Sequence, residues 1–497
     1  MNINPDKLIN LVQAYEPKAD VGLIRRAFDF ADRAHAGQTR RSGEPYIIHP
    51  LATAEILAEM HVPTSIIVAG LLHDVPEDTT VTVEDVRLEF GDDVASMVAG
   101  ITKLGKIKYR GIDRYVENLR KMFVAMASDI RVILIKFADR IHNLSTLNAL
   151  PPHKRLRIAH ESLEIYAPIA NRLGINEMRA TLEDLAFVHA MPKEHEWVTG
   201  LMERAISVKK TYVDRVRDVV WDELKKHDIE VLDIHGRVKH KYSLYRKLLK
   251  YERDMIRIHD LIALRILVPK MSDCYAVLGI IHQRWKPLKG RIKDYIAQPK
   301  PNGYQSLHTT VFCEGGEIVE FQIRTKDMHT EAELGIAAHW KYDEDGKTVS
   351  PQIRKQMAWV KELAERQKTF KTSNDYLESL ESLKIDVLQN RIFVFTPKGD
   401  VIDLPEDATP VDFAFAIHSQ VGNTCVGARI NDHIMSLDTK LCSGDCCEII
   451  VDKHRKGPNP DWVAFTKTST AKYHIRQHAK SRLSQWIRSF GNDKESE

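Results

Sequence analysis

The chain has 497 residues, 43% of them hydrophobic, 28% charged and 7% aromatic, which excludes a collagenous, wholly disordered or membrane-embedded protein. At about 150 residues per domain the length leaves room for about three domains. The net charge of +3 says little, but its distribution is uneven: Gly236–Thr310 holds 16 Lys/Arg against 5 Asp/Glu, and Lys453–Phe490 holds 9 against 1. Two concentrated positive regions suit two anionic partners, nucleotides or an RNA surface.

The longest uninterrupted apolar run, Ile66–Leu72, is far below the ~18 residues of a membrane span. Asn2, Asn4, Asp6 and Lys7 open the chain in a way unlike a signal peptide. Six cysteines without a CxxC pair argue against a disulfide framework or zinc ribbon, and the neighbours Cys442, Cys446 and Cys447 are not read as a metal site. A soluble cytoplasmic protein with no membrane partner is expected.

In chain order, residues up to about 195 repeat apolar positions at helical spacing in Leu23–Ala34, Thr53–Met60, Thr64–Leu72, Val116–Ala127 and Glu161–Ile169. After Gly236 the pattern becomes α/β. His259–Val268 and Glu317–Thr325 read as strands, with Cys274–Trp285 a helix between them. Lys347–Ser382 is polar and helical, a connector. Arg391–Lys453 is β-rich: RIFVFTPKGDVIDL is strand, Pro-Lys-Gly-Asp turn and strand, followed by a helix over Val411–Ser419. The basic tail from Lys453 reads as helical.

Near the N-terminus His49, the pair His73-Asp74 and Asp139 stand out. Mixed imidazole and carboxylate suits a divalent metal such as Mn²⁺, which polarises phosphate and acidifies water. His73-Asp74 ends the apolar helix SIIVAGLLHD, where a charged pair needs solvent, a metal or a hydrogen-bond partner. Asp139, Asn143 and Thr146 share a helical face. With 22 histidines in the chain, any lone one is more often structural than ligating. Taken together, however, RRSGEPYIIHP (Arg40–Pro50), LLHDVPEDT (Leu71–Thr79) and FADRIHNLSTL (Phe137–Leu147) resemble the HD phosphohydrolases, specifically the (p)ppGpp hydrolase domain of the RelA/SpoT family. The resemblance implies that His49, His73, Asp74 and Asp139 hold one metal, Mn²⁺, and that Glu77 and Asp78 help to activate water. It also implies that Arg40 and Arg41 hold guanosine phosphates and base, with Asn143 and Thr146 in the nucleoside pocket. Pro76 departs from the family's usual aliphatic residue, removes an N–H and biases Val75 away from helix.

In the middle, GRVKHKYSLYRKLLK places Lys239, Ser243, Arg246, Lys247 and Lys250 at near-helical intervals, a stripe able to clamp a triphosphate. Asp260 is expected to begin one strand, while Glu320, Gln322 and Arg324 alternate onto one face of another. Two carboxylates on neighbouring strands can hold Mg²⁺ beside phosphates. Pro301-Asn302-Gly303 reads as a turn presenting Tyr304. These stretches closely resemble the synthetase domain of the same family, a nucleotidyltransferase-like α/β fold, and imply pyrophosphate transfer from ATP to the 3′-hydroxyl of GDP or GTP. On that resemblance Arg237 stacks on adenine, Lys239, Ser243 and Lys247 grip the ATP phosphates, and Asp260 and Glu320 hold Mg²⁺. Glu320 is also the implied base, Tyr304 stacks on guanine, His308 contacts the acceptor's phosphates, and Lys300 joins the nucleotide-binding set. Arg291, Lys293 and Asp294 match the family's basic RxKD loop, which goes with bifunctional members and some GDP preference.

FTPKGDVIDLPEDATPVDFAFAIHSQVGNTCVGARIN resembles a TGS domain, a small β-grasp-like module. This implies contact with the ribosome or uncharged tRNA, with His418 at the module's histidine. The division implied is an all-α HD-type hydrolase domain (1–195), an α/β synthetase domain (196–345), a helical linker (346–387), a TGS domain (388–453) and a basic helical tail (454–497). The leading reading is a bifunctional (p)ppGpp synthetase and hydrolase. Two alternatives stay open: a member working in one direction only, and a ribosome- or tRNA-binding regulator with silent sites.

Overall fold

The computed structural model describes residues 3–105, 121–300, 302–339, 391–442, 444–455, 457–468 and 470–479. The expected linker, the start of the Val116–Ala127 helix, Pro301 and the tail beyond 479 lie outside them. The chain falls into two units, within Met1–Thr369 and within Phe370–Glu497.

The first unit begins with helices α1 (Asp6–Tyr15), α2 (Val21–Ala34), α3 (Ile48–Glu59), α4 (Thr64–Leu72) and α5 (Val75–Asp78). Next come α6 (Val83–Gly105), α7 (121–128) and α8 (Arg131–Ser145). Every residue of α4 except Ser65 is buried, because α2, α3, α6 and α8 pack around it. An all-apolar sequence fits only at such a centre. Asp20 caps α2 by accepting the Leu23 N–H at 2.9 Å, and α6 breaks at Gly91, whose φ of 84° suits glycine.

After α9 (Pro152–Glu161) the helix opens into a π turn over Ser162–Tyr166 and resumes as α10 (Ala167–Arg172). Pro168 lacks an N–H and crowds the carbonyl four residues back, which accounts for the widened turn. Helix α10 ends in a Schellman motif: Ile175 N–H donates to the Ala170 carbonyl at 2.9 Å, Gly174 N–H to Asn171 at 3.1 Å, and Gly174 has φ 77°.

Helix α11 (Asn176–Ala190) packs on α8 and α9 on one side and on α12 (Pro192–Lys226), α13 (Lys241–Lys250) and α15 (Lys326–Leu334) on the other. A five-stranded sheet follows, ordered β1 (Asp233–Val238), β2 (Ile262–Val268), β5 (Ile318–Thr325), β4 (Leu307–Phe312) and β3 (Lys293–Asp294). Only β2 and β5 run parallel, with Ala263 opposite Glu320. Ile262, Leu264, Ile266 and Val268 of β2 and Val319, Phe321 and Ile323 of β5 join one core with Val198 of α12 and Val277 of α14 (Met271–Arg284). Strand alternation therefore turns Arg265, Glu320, Gln322 and Arg324 to the opposite face. Two sequence expectations need correction: Asp260 lies two residues before β2, and Lys239 lies between β1 and α13, outside the helix.

The second unit pairs β6 (Arg391–Phe395) with β7 (Val401–Pro405) as the expected hairpin, and β10 (Cys447–Val451), β8 (Cys425–Ile430) and β9 (His433–Met435) form a second sheet. Helices α16 (Pro410–Ile417) and α17 (Ser419–Thr424) lie between them in sequence, and residues 470–479 form α18. The segment read as a tail packs here: Trp462, Ala471 and Ile475 share a core with Val411, Ala414, Phe415 and Cys425. Among the described residues no helix is long and apolar enough to cross a membrane.

Within the first unit the helical part meets the sheet part at two glycines. A Cβ on Gly335 would lie 2.4 Å from the Gly174 carbonyl carbon, and Gly335 has φ 57° and ψ −130°. Gly335→Ala is therefore expected to cost at least about 1–3 kcal/mol, read as a lower denaturant midpoint of the full chain. A wild-type midpoint would show that this close approach does not exist in solution.

Candidate active sites

The first site forms where buried α4 ends. His73 is the last residue against that core, and its Nδ1 lies 2.8 Å from the Gly70 carbonyl. A carbonyl only accepts, so Nδ1 carries the proton and Nε2 is bare. That buried Nε2 has no hydrogen-bond partner and lies 3.1 Å from Asp74 Oδ1, acceptor against acceptor. His49, from the first turn of α3, aims its Nε2 at Asp139 Oδ1 (3.2 Å) and Asp74 Oδ2 (3.4 Å). Ligand atoms of His49, His73 and Asp74 all lie within 4.8 Å of one another. Converging lone pairs of this kind call for a cation, and imidazole plus carboxylate is the donor set of a divalent metal. Those three residues, brought together from distant sequence, fit that ion; Asp139 adjoins them through His49, with Lys136 and Asn143 on its oxygens, and stands outside the 4.8 Å group.

Charge around the site is arranged to keep the carboxylates ionised. Burial would raise Asp74 and Asp139, but positive charge facing them, on His73 and His49 when those imidazoles are protonated, holds Asp74 below the usual carboxylate range, and Lys136 and protonated His49 do the same for Asp139. A proton on His49 Nε2 is the alternative to that cation: burial alone would lower His49, yet Asp139 and Asp74 outweigh it and raise it. Lys136 Nζ is 2.7 Å from Asp139 Oδ2, leaving Oδ1 toward His49. Glu77 is half-buried and raised, chiefly by that burial, with Lys136 opposing.

The expectation that Pro76 pulls Val75 out of helix is not met. Val75–Asp78 is a short helix with Pro76 in its first turn, where a missing N–H removes no bond. Glu77 and Asp78 N–H groups both donate to the Asp74 carbonyl, at 3.0 and 2.9 Å, so the acidic pair is tied to the ligand.

Of the nucleotide-binding candidates, Arg40 donates to Asn143 Oδ1 at 2.6 Å, and Asn143 Nδ2 donates to Asp139 Oδ1. Arg41 is exposed, and Thr146 lies just past α8, its hydroxyl turned back to the His142 carbonyl at 3.2 Å. Sequence reading missed three neighbours: Lys136, His142 and Tyr46. The Tyr46 hydroxyl bridges Asp78 Oδ2 (2.5 Å) and Asp74 Oδ2 (3.0 Å). Lys136 and His142 stand three residues either side of Asp139, a helical spacing that marks them as its neighbours.

The second site lies on the open face of the five-stranded sheet. Lys239 and Lys247 each place Nζ 2.7 Å from an Asp260 oxygen, and against the effect of burial they hold that carboxyl down at about 2. Ser243 sits in the first turn of α13, half-buried beside them in sequence, and Arg237 lies opposite Ala263 on β1. Arg246 and Lys250 of the expected stripe are exposed.

Glu320 accepts from Gln322 Nε2 at 3.2 Å and lies 3.1 Å from His308 Nδ1, whose Nε2 is 2.8 Å from the Tyr304 hydroxyl. Burial would raise Glu320, but His308 keeps it below its ordinary value, and burial lowers His308. Lys293 pairs across the ladder with His308. Lys300 is exposed over much of its surface, yet its ammonium lies 4.6 Å from the Tyr295 ring and 5.0 Å from Tyr304. Desolvation there, then Lys293, pushes it down to about 8. Arg291 lies toward the other end: after burial it is the main influence lowering His259, next to Asp260.

Behind Tyr304, Arg324, expected on the Glu320 face, meets two residues sequence reading missed, Arg265 and Glu333. Arg324 is fully buried, its Nη2 2.7 Å from Glu333 Oε1, which Arg265 Nη1 reaches at 2.9 Å. The guanidinium carbon of Arg324 is 5.9 Å from the Tyr304 ring.

Residues 27–176 match the HD domain, residues 236–347 the region found in RelA/SpoT proteins, and residues 392–451 the TGS domain. The chain is 45% identical over 481 residues to the GTP pyrophosphokinase of Myxococcus xanthus, covering 96% of this chain and 63% of that one. It is 44% identical over 478 residues to the bifunctional (p)ppGpp synthase/hydrolase SpoT of Escherichia coli, covering 96% and 67%. A probable guanosine-3′,5′-bis(diphosphate) 3′-pyrophosphohydrolase of Synechocystis is 43% identical, covering 92% and 60%. The chain thus spans about three fifths of the length of several such relatives, 57% to 63%.

The ion pairs at Asp260 generate a prediction. Asp260 occupies both lysine ammonium groups while no phosphate is present, so Asp260→Asn releases them. A nucleoside triphosphate in EDTA should then bind about tenfold tighter, equivalent to ~1.4 kcal/mol, by calorimetry. Unchanged or weaker binding would show that Lys239 and Lys247 do not meet phosphate.

Proposed function

The chain belongs to the RelA/SpoT family, and on that premise we propose that it both makes and breaks guanosine 3′-diphosphates. In synthesis the 3′-oxygen of GDP or GTP bonds to the β-phosphorus of ATP, the bond to the α-phosphoryl oxygen breaks, and AMP leaves. In breakdown water bonds to the 3′-linked phosphorus, the bond from that phosphorus to the 3′-oxygen breaks, the 3′-oxygen takes up a proton as GDP or GTP leaves, and the water's oxygen departs with pyrophosphate. The reading rests most on one observation: two separate acidic constellations, one helical and one on a sheet, each built from distant residues.

For breakdown, His49, His73, Asp74 and Asp139 would hold Mn²⁺, and for synthesis Asp260 and Glu320 would hold Mg²⁺, the all-oxygen pair suiting the harder ion. When bound, these ions lower the pKa of water and neutralise charge on transferring phosphates. The protein's own part in breakdown is to place Glu77 and Asp78 to receive the water's proton, and Arg40, Arg41, Asn143 and Thr146 to hold the nucleotide. Burial raises Glu77 above its ordinary value, which suits it to accept that proton.

In synthesis Lys239 and Ser243, at the N-terminus of α13 where N–H groups favour anions, and Lys247 from its last turn grip the ATP phosphates. Arg237 stacks on adenine, Tyr304 on guanine, and Arg291, Lys293, Lys300 and His308 hold the acceptor's phosphates. Glu320, kept ionised by His308, accepts the 3′-hydroxyl proton. The catalytic work is positioning and charge neutralisation.

The TGS module with residues 454–479 is proposed to contact tRNA or the ribosome. Lys453, Arg455, Lys467, Lys472 and Arg476 belong to this unit, and exposed His418 uses Nδ1 to accept the Gln420 N–H. RNA binding by the full chain should weaken steeply with salt as counterions are released; salt-independent binding, or none in dilute buffer, contradicts it.

The two-site reading is tested by separating the reactions. Asp74→Asn should lower ppGpp breakdown by about 10²-fold or more and spare synthesis from ATP and GDP. Glu320→Gln should do the reverse. Nucleotide chromatography distinguishes them, and a single substitution silencing both reactions in a folded protein would overturn the assignment.

A further inference from the structure

His142 closes a ring that joins the candidate metal ligands to the candidate phosphate-binding arginine. Its Nδ1 lies 2.7 Å from His49 Nδ1 and 2.9 Å from Arg40 Nη1. Arg40 Nη2 continues to Asn143 Oδ1 at 2.6 Å, Asn143 Nδ2 to Asp139 Oδ1, and Asp139 Oδ1 returns to His49 Nε2 at 3.2 Å. The His49 and His142 ring centroids are 4.9 Å apart and their planes differ by 30°.

The protons on this ring follow from which groups can only donate. A guanidinium has no lone pair to offer, so His142 Nδ1 is the acceptor for Arg40. His49 Nδ1 faces the same lone pair at 2.7 Å and so carries its own proton. His49 Nε2 is then bare, turned to Asp139 and Asp74. A metal-ligating histidine is commonly fixed in just this way by an acceptor behind it. The usual acceptor is a carboxylate or carbonyl; here it is a second imidazole whose lone pair is shared with Arg40.

We propose that His142 is a positioning residue that holds His49 in its metal-binding tautomer and couples metal affinity to nucleotide binding through Arg40. An anionic phosphate that draws Arg40 away leaves the His142 lone pair to His49 alone. The bond from His49 Nδ1–H strengthens, and Nε2 becomes a better ligand. Coupling is reciprocal, so bound metal must tighten the nucleotide by the same factor. This rests on the hydrolase reading above and adds a regulation of that site.

The test titrates Mn²⁺ into the full chain by electron paramagnetic resonance, with and without a guanosine 3′-diphosphate analogue in which a methylene group replaces the 3′-oxygen and so removes the bond that water would cleave. Wild-type protein should bind Mn²⁺ more tightly with the analogue present. His142→Phe should weaken Mn²⁺ binding about 10–100-fold and remove the effect of the analogue. His142→Asn sets an amide oxygen where Nδ1 stood and should restore part of both, a rescue that loss of packing would not give. Thermal midpoints in EDTA check that each variant is folded. Wild-type Mn²⁺ affinity and an intact analogue response in folded His142→Phe would overturn the proposal. Absence of Mn²⁺ binding by the wild-type chain would instead overturn the hydrolase reading beneath it.

Discussion

Two lone pairs facing each other at the end of a buried helix govern the first site. Helix α4 is apolar because it has neighbours on all sides, and that burial carries His73 to a place where its Nε2 cannot reach water. A lone pair left there 3.1 Å from a carboxylate oxygen is costly unless something positive stands between them. The surroundings answer that demand: Lys136 faces Asp139, Tyr46 spans Asp74 and Asp78, and the short helix carrying Glu77 hangs from the Asp74 carbonyl. The core of the helical region thus creates the electrostatic problem that the site is built to solve.

The sheet site meets the opposite problem. An open face rich in lysine and arginine must remain folded without its anions, and acidic side chains stand in for them. Asp260 takes Lys239 and Lys247, and Glu333 takes Arg265 and Arg324. Glu320 is supplied with donors by His308 and Gln322. Alternation along β5 does the sorting: Phe321 and Ile323 go to the core and Glu320, Gln322 and Arg324 to the open face.

Much of this was legible in the sequence where one residue type has one physical use. Apolar SIIVAGLL reads as a helix, and the HD pair at its end reads as needing solvent, a metal or a hydrogen-bond partner, among which the family resemblance points to a metal. The alternation EFQIR announced a two-faced strand. Lys136, His142 and Tyr46 escaped because each is ordinary in its own segment, and their meaning comes from segments far away in sequence. His142 and Arg40 are 102 positions apart, and no local period links them. Asp260 was read into a strand because HDLIALRILV is continuously strand-like; its carboxylate is instead claimed by two lysines just outside the ladder. Proline 76 misled in the other direction, since a first helical turn has no use for the N–H it lacks.

The smallest unit carries a lesson about modularity. Asp412 is wholly buried, and its two oxygens serve both the helix it caps and a strand-free segment 55 positions later. Oδ2 accepts from Thr409 N and Oγ1 at 2.9 and 2.8 Å, and Oδ1 from Lys467 N, Thr468 N and Thr468 Oγ1 at 2.9, 2.7 and 2.8 Å. Family resemblance to the TGS domain stops at residue 451, before any of those last donors. A chain severed there would keep the hairpin and both sheets but strand half of a carboxylate in the dark, along with the face that Trp462, Ala471 and Ile475 cover. What recurs in evolution as a portable module is therefore, in this protein, inseparable from the helix behind it.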